Sequence, residues 1–251
     1  MFMRLLQLKL KSDFIEEFIY FYEQTVYPEL QNLPGCVFAG LIKSTHQPDE
    51  FISLTFWKTQ AQAEEYETSG PFKKLFGQIK PFLAESEEWN VHLSEDMELQ
   101  YGPVEKEPVI RKYDISAKNE NDDILSDSAN MFVRVLSLVI QQDKVEEFKE
   151  LYTGIVIPAL IDMKGCRFVF LTESVNSSNE FISVSIWDKK EDALEYESGK
   201  KYVELTDKVK HTFSQLYLWR MSLEKEYGQK VSTSDDFKVE HYKIITGKNF
   251  L

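Results

Sequence analysis

The sequence predicts an α+β protein built from two ferredoxin-like β-α-β-β-α-β units in one chain, paired as an intramolecular pseudo-dimer. Three observations carry that prediction. The chain repeats itself, each repeat reads strand and helix in that order, and one strand per repeat is apolar on a face that its own helices leave uncovered.

The repeat comes first. A constant shift laying Met1-Phe2 on Met131-Phe132 overlays the chain on itself, without a gap, from Met1 to Leu93. Under it Asp13 and Glu16-Glu17-Phe18 meet Asp143 and Glu146-Glu147-Phe148, Pro28 meets Pro158, and Gly35-Cys36 meets Gly165-Cys166. Glu50-Phe51-Ile52-Ser53 returns as Glu180-Phe181-Ile182-Ser183. Trp57, Glu65-Tyr66-Glu67 and Trp89 return as Trp187, Glu195-Tyr196-Glu197 and Trp219. The tails also correspond: Tyr101-Gly102 and the stretch 109–115 resemble Tyr227-Gly228 and the stretch 237–244, so each copy is expected to end in an extra strand. The organisation read from this is a first copy over 1–116, an acidic linker over 117–130 (Lys118-Asn119-Glu120-Asn121-Asp122-Asp123 lie in it), and a second copy over 131–251.

Within a copy, residues 2–11 alternate as a strand. Asp13 with Glu16 reads as a helix start resembling a capping box, and Phe14, Phe18, Phe21, Tyr22 and Val26 follow at helical spacing. The helix is expected to stop near Pro34-Gly35, where proline lacks a donor and glycine supplies φ freedom. Residues 36–44 and 50–57 alternate as two strands joined by a turn at Gln47-Pro48-Asp49. Thr59 with Gln62, and Asp188 with Glu191, read as starts of a second helix. A helical stretch over 71–83 then leads to a strand over 87–94, which Trp89 and Trp219 are expected to anchor.

Both helices of such a unit cover one face of its sheet, leaving the other bare. Ile52, Leu54 and Phe56 form one parity of the third strand, matched by Ile182, Val184 and Ile186, and these apolar triplets need a second sheet over them. The other copy supplies it. The opposite parity reads Phe51, Ser53, Thr55, Trp57 and Phe181, Ser183, Ser185, Trp187. Hydroxyls in line with an indole, on the side facing the helices, suit a cleft that orients a planar ligand with polar edges. They also suit plain hydrogen bonding to the helices, and both readings stand here. Arg4 and Arg134 open the first strands on the parity of Leu6 and Leu136, which puts a cation at the rim of that cleft, for an anionic ligand edge or a neighbouring carboxylate. Tyr66 and Tyr196, with Tyr22 and Tyr152, recur as hydrogen-bond donors or as core-boundary aromatics. Glu65, Glu67, Glu195 and Glu197 read as a solvated helix face.

The motifs Gly35-Cys36, Phe56-Trp57-Lys58-Thr59, Ala63…Tyr66 and Phe72-Lys73-Lys74-Leu75 resemble the antibiotic biosynthesis monooxygenase (ABM) domain family, with Gly165-Cys166, Ile186-Trp187-Asp188, Ala193…Tyr196 and Tyr202…Leu205 in the second copy. The resemblance implies a dimeric α+β barrel, closed here within one chain. It also implies an enzyme of the type that oxygenates quinol or polyketide-like aromatics without a cofactor. Haem-degrading members use an Asn–Trp–His set. Their Trp lands on Trp57 and Trp187, but the Asn position falls near Leu6 and Leu136 and the His position on Phe76 and Thr206, so haem is disfavoured and no cofactor or metal is expected. Of the histidines, His46 reads as a surface residue in a turn. His92 and His211 are the ones to test, and neither they nor His241 recurs in the other copy.

A net charge of −13 with no compensating basic stripe makes nucleic acid a poor partner. No apolar run is long enough for a membrane span, and the N-terminus lacks a signal-peptide pattern, so a cytoplasmic protein is expected. Cys36 and Cys166 read as reduced core thiols. The expected partner is a small molecule, with the repeats pairing inside the chain and a further homodimer left open. The reading is thus a cofactor-independent oxygenase for a small aromatic or quinol-type substrate, with Arg4, Ser53, Thr55, Trp57 and Tyr66, and Arg134, Ser183, Ser185, Trp187 and Tyr196, as substrate-binding candidates and no catalytic residue assigned. The alternative is a tandem barrel that binds or scaffolds without catalysis.

Overall fold

In the computed structural model, which describes residues 1–84, 89–93, 99–103, 108–118, 131–227 and 236–250, the first copy begins with β1 (Phe2–Lys9). Its Leu6 and Leu8 join the core under the helices, and Met3 and Leu5 point the other way. The long helix that follows is α1 (Ile15–Phe21) and α2 (Tyr27–Gln31), joined without a break by a π-turn over Tyr22–Val26. Pro28 has no N–H for the carbonyl four residues back, and its ring would crowd that carbonyl, so the backbone widens just before it. The second copy repeats this with Pro158. The expected capping box is not formed: Asp13 sits in a 3₁₀ turn, and the helix begins with no side-chain cap.

The chain turns at Gly35, whose φ of 85° favours glycine and where a Cβ would strike the Gln62 side chain. β2 (Cys36–Ser44) and β3 (Glu50–Trp57) follow as a hairpin, then α3 (Gln60–Thr68), capped by Thr59, whose Oγ1 accepts from Gln62 N at 3.3 Å, then α4 (Pro71–Ile79). Among the described residues β4 (Trp89–Leu93) pairs with β5 (Leu99–Pro103) in a separate ribbon, and β6 (Ile110–Lys118) ends the copy. The second copy runs β7 (Phe132–Val139), α5 (Val145–Leu151), α6 (Ile157–Ile161), β8 (Cys166–Ser174), β9 (Glu180–Trp187), α7 (Lys190–Ser198), α8 (Lys200–Val209), α9 (Gln215–Tyr227) and β10 (Phe237–Asn249). Asp188 does not cap α7; it takes two hydrogen bonds from Arg167, at 2.7 and 2.9 Å.

Eight strands close a barrel in the order β1-β3-β2-β10-β7-β9-β8-β6. The segment β6-β1-β3-β2 is a ferredoxin-like sheet, β10-β7-β9-β8 is its repeat, and the two join at two seams. At each seam a tail strand pairs with its own copy on one side and the other copy on the other: β6 with β1 and β8, β10 with β7 and β2. The fourth strand of each sheet is therefore the tail strand. This corrects the place given to Trp89 and Trp219. β4 lies outside the barrel, and the matching stretch of the second copy is helix α9, on which Trp219 is 54% exposed. β6 runs on to Lys118; the rest of the expected linker lies outside the described residues.

The predicted apolar triplets line the barrel interior. Ile52, Leu54 and Phe56 pack with Ile182, Val184 and Ile186 in one core cluster, and Phe56 meets Phe170 of the other copy at 5.1 Å between ring centres. Fully burying such side chains contributes about 1.5–3 kcal/mol each, and here residues of both copies are buried in one shared cluster. Two further cores lie between the sheets and the helices, one per copy. Cys36 and Cys166 are buried free thiols, whose pKa burial pushes up to about 12. Among the described residues no helix is long and apolar enough to cross a membrane.

Candidate functional site

The helix–sheet core of the first copy is not completely filled. A cavity of about 30 Å³ lies between β1, β3, the π-turn and α4, walled by Leu6, Leu8, Phe18, Val26, Phe72 and Phe76 among others. The polar groups reaching it are Arg4, Tyr22, Ser53, Thr55 and Tyr66. That volume holds one or two water-sized groups. Phe72 and Phe76 on α4, which line it, are both half-buried.

Most of the polar atoms in this wall are tied to one another. Tyr22 Oη and Ser53 Oγ share a hydrogen bond of 2.7 Å, so the π-turn and β3 are stapled above the cavity. Trp57 Nε1 donates to Thr55 Oγ1 at 3.0 Å, and Tyr66 stacks on the Trp57 indole at 5.3 Å and 26°. Burial lifts the Tyr22 and Tyr66 phenols well above the ordinary range, so both stay protonated and act as hydrogen-bond donors.

Arg4 is the exception. It is 1% exposed, which corrects the expected place at the cleft rim. Its Nε donates to Glu67 Oε1 at 2.7 Å, and its guanidinium lies over the Phe72 ring at 4.6 Å and the Tyr66 ring at 5.6 Å. Its Nη2 is buried and has no hydrogen-bond partner in the protein. A buried charged donor left unmatched is costly, and this one belongs to a side chain that lines the cavity.

The second copy rebuilds the arrangement. Tyr152 Oη donates to Ser183 Oγ at 2.5 Å, Trp187 Nε1 donates to Ser185 Oγ at 2.9 Å, and Tyr196 stacks on Trp187 at 5.5 Å. Arg134, 2% exposed, donates from Nε to Glu197 at 2.5 Å and likewise leaves Nη2 buried without a protein partner. The cavity here is about 20 Å³, and Tyr202 and Thr206 stand where the first copy has Phe72 and Phe76. Burial raises the Tyr202 phenol, opposed in part by Arg134.

The family model for antibiotic biosynthesis monooxygenases matches residues 1–78 and 131–206, more than half of the chain and one match per copy. The chain belongs to that family. Its structure is similar to a protein of Fusobacterium nucleatum provisionally named a monooxygenase, at 12% identity, 99% of this chain, 94% of that one and a TM-score of 0.65. A Lactobacillus acidophilus protein with the same provisional name aligns at 8% identity, 99% and 96% coverage and a TM-score of 0.66. An anthrone oxidase-like protein aligns at 8% identity, 99% and 93% coverage and 0.62. At such identities the likeness is of fold alone. No curated protein matches the chain in sequence.

Within this family member, the positions compared with the haem-degrading set fall on the cavity walls: Leu6 and Phe76 in the first copy, Leu136 and Thr206 in the second. None carries a nitrogen for axial ligation, so the residues present do not fit a haem iron. No metal-binding group of His, Cys, Asp and Glu occurs among the described residues. Of the candidates read from the sequence, Arg4, Ser53, Thr55 and Tyr66 line the first cavity, and Arg134 and Tyr196 the second. Trp57, Trp187, Ser183 and Ser185 sit behind them as supports. His211 makes a surface contact with Glu147 at 2.8 Å, His46 is exposed, and the His92 side chain lies outside the described residues. Glu67 and Glu197 correct the solvated-face reading. Both turn inward to hold the buried arginines, whereas Glu65 and Glu195 are exposed.

Proposed function

We propose that this chain is a cofactor-independent monooxygenase acting on a small aromatic or quinol-type substrate, and that its working cleft is the helix–sheet cavity of the first copy. The supporting observation is the combination in one wall of apolar and aromatic side chains with one buried guanidinium nitrogen left over. A substrate with an acidic hydroxyl or enolisable methylene supplies its own electrons, so the protein's task is to desolvate it, orient it and stabilise its anion.

For a methylene beside a carbonyl the reaction balances without a further reductant. The substrate loses one C–H proton, and its anion passes an electron to dioxygen. The resulting radical and superoxide join through a C–O bond. Loss of the second C–H proton as the O–O bond breaks leaves a carbonyl and one water. Tyr66 and Tyr22, held protonated by burial, are suited to donate to substrate oxygens rather than to act as bases. The second copy, with its smaller and more polar cavity, serves this reading as a partner that closes the barrel.

Oxygen uptake with anthrone and a hydroquinone panel, with no added cofactor, tests the reading. Turnover above buffer is expected, and a Phe76→Trp variant that fills the cavity is expected to lower it at least tenfold while melting within a few degrees of the parent. Absence of turnover, or turnover unchanged in that variant, overturns the proposal in favour of a non-catalytic barrel.

A further inference from the structure

Helix α9 is apolar on two opposite sides, and the barrel covers one of them. On the inner side Tyr217 is buried against Phe213 and Phe237, with 5.0 Å between ring centres in each pair, and Leu218 packs on the same core. The outer side carries Leu216, Trp219 and Leu223, spaced three and four apart so that they form one stripe along the helix. Leu216 is 42% exposed and Trp219 54%. The direction of the stripe is fixed at the helix start. Ser214 Oγ accepts from Tyr217 N at 3.0 Å and donates to Asp236 Oδ2 at 2.5 Å, and Gln215 Nε2 donates to Gln141 Oε1 at 2.7 Å. A helix apolar on both sides belongs between two partners, and the barrel supplies the inner one.

The charges beside the stripe say which outer partner fits. Arg220 and Glu224 follow each other at one turn along one flank, and the Arg220 guanidinium is held there over the Tyr217 ring at 5.1 Å. The opposite flank has the small Ser222 at its middle. Laid antiparallel about a two-fold axis, two copies of this helix set Trp219 of each against Leu223 of the other. In that register Arg220 of each falls opposite Glu224 of the other, so the flank closes with two ion pairs. Ser222 meets its own copy without bulk. A parallel pair would turn Arg220 toward the Ser222 flank instead, where no carboxylate stands at its level.

The corresponding stretch of the first copy begins the β4–β5 ribbon, so the stripe occurs once per chain, and pairing two chains closes the assembly. We propose that the outer face of α9 is an interaction surface whose partner is a second copy of this chain, joined through an antiparallel pair of α9 helices centred on Trp219 and Leu223. Tryptophan and arginine are the residue types that most often anchor protein interfaces. The 13 residues of α9 make a contact about 20 Å long, at the small end for a specific interface, between chains that each carry a net charge of −13. The dimer is therefore weak and concentration-dependent. None of the stripe residues lines a helix–sheet cavity, so the dimer stands apart from the oxygenase reading.

Sedimentation velocity of the intact chain, from low to high micromolar concentration, tests this. A reversible monomer–dimer equilibrium is expected, and Trp219→Lys should abolish it while melting within a few degrees of the parent. Arg220→Glu and Glu224→Arg should each weaken association about tenfold, because each sets two like-charged pairs in the contact. An equimolar mixture of those two variants should associate as a heterodimer about as tightly as the parent, since each reversed charge then faces an opposite one. A role for either residue confined to its own helix gives no such rescue. A parent that stays monomeric at high micromolar concentration overturns the proposal, as does a dimer indifferent to Trp219→Lys or a mixture that associates no better than its two components. A monomer that binds phosphatidylcholine vesicles through Trp219 overturns it too, and gives this face to a lipid surface.

Discussion

Opposite the buried arginine, the first copy presents Phe72 and Phe76 and the second presents Tyr202 and Thr206. Everything behind that wall is held in common: the Tyr–Ser staple, the Trp–hydroxyl pair, the Tyr stacked on the indole and the carboxylate on Arg Nε. Around the arginine the difference lies in the wall that faces the cavity, together with the outer partner of the carboxylate, Lys112 or His241. There the duplicated chain has kept the supporting framework twice and varied the part nearest a ligand.

The largest expected effect bears on the shared carboxylate. Glu67→Gln leaves Arg4 charged, buried and without its ion partner beside Lys112, and should cost about 3 kcal/mol, seen as a fall in Tm of roughly 6–12 °C. Glu197→Gln strips Arg134 of the same partner and should cost a similar amount. An unchanged Tm in either variant would show that the buried arginine of that copy does not depend on its carboxylate. Burial alone would raise the Glu197 carboxyl pKa, but the hydrogen bond from His241 and then the charge of Arg134 bring it below the ordinary value. A carboxyl so lowered contributes stability above its unfolded value that is lost as pH falls through the folded one. The gap between wild type and Glu197→Gln should accordingly narrow in acid.

A smaller effect tests the wall. Phe72→Tyr gives the first copy the hydroxyl of the second and should weaken oxygen uptake severalfold; Tyr202→Phe, in the copy not read as the working cleft, should leave it unchanged. A loss confined to Phe72→Tyr sharpens the comparison, and equal responses break it. The smallest effect tests what the copies share. Tyr22→Phe and Tyr152→Phe each remove one buried hydroxyl-to-hydroxyl bond and should cost about 1 kcal/mol apiece in urea unfolding, nearly the same in both.

Much of the fold could be read from residue patterns. The Ile-Leu-Phe and Ile-Val-Ile triplets announced a covered inner face because strand parity is a local property, and the repeat named the covering surface. The exchange of tail strands could not be read in the same way. The stretches 109–115 and 237–244 look like strands, but which edge a strand joins depends on geometry across the whole barrel. Trp219 misled because an identical residue was taken to imply an identical conformation, whereas the second copy continues there as a helix. Within the site, parity placed Arg4, Ser53 and Thr55 on the correct face but gave no depth, so a buried guanidinium was read as a rim cation. Glu67 and Glu197 were misjudged because their helix is acidic throughout, and only their contact with the strand beneath separates them from Glu65 and Glu195. His241 was passed over in favour of His92 and His211, and only its contact with Glu197 in the folded chain brings it to the site.

The two seams of the barrel also differ in how far along the chain they must reach. At one, Tyr113 of β6 pairs with Ser174 of β8; at the other, Tyr242 of β10 comes back to Ser44 of β2, nearly the length of the chain away. Closing the longer loop costs roughly 1 kcal/mol more in chain entropy, and its closing strand follows the other seven barrel strands in the chain. The barrel thus behaves as a hoop with a clasp. β6 can join the two halves as soon as β8 exists, and the hoop stays open until β10 slots between β7 and β2, so a chain shortened before Phe237 should hold one open sheet with raw edges at β2 and β7.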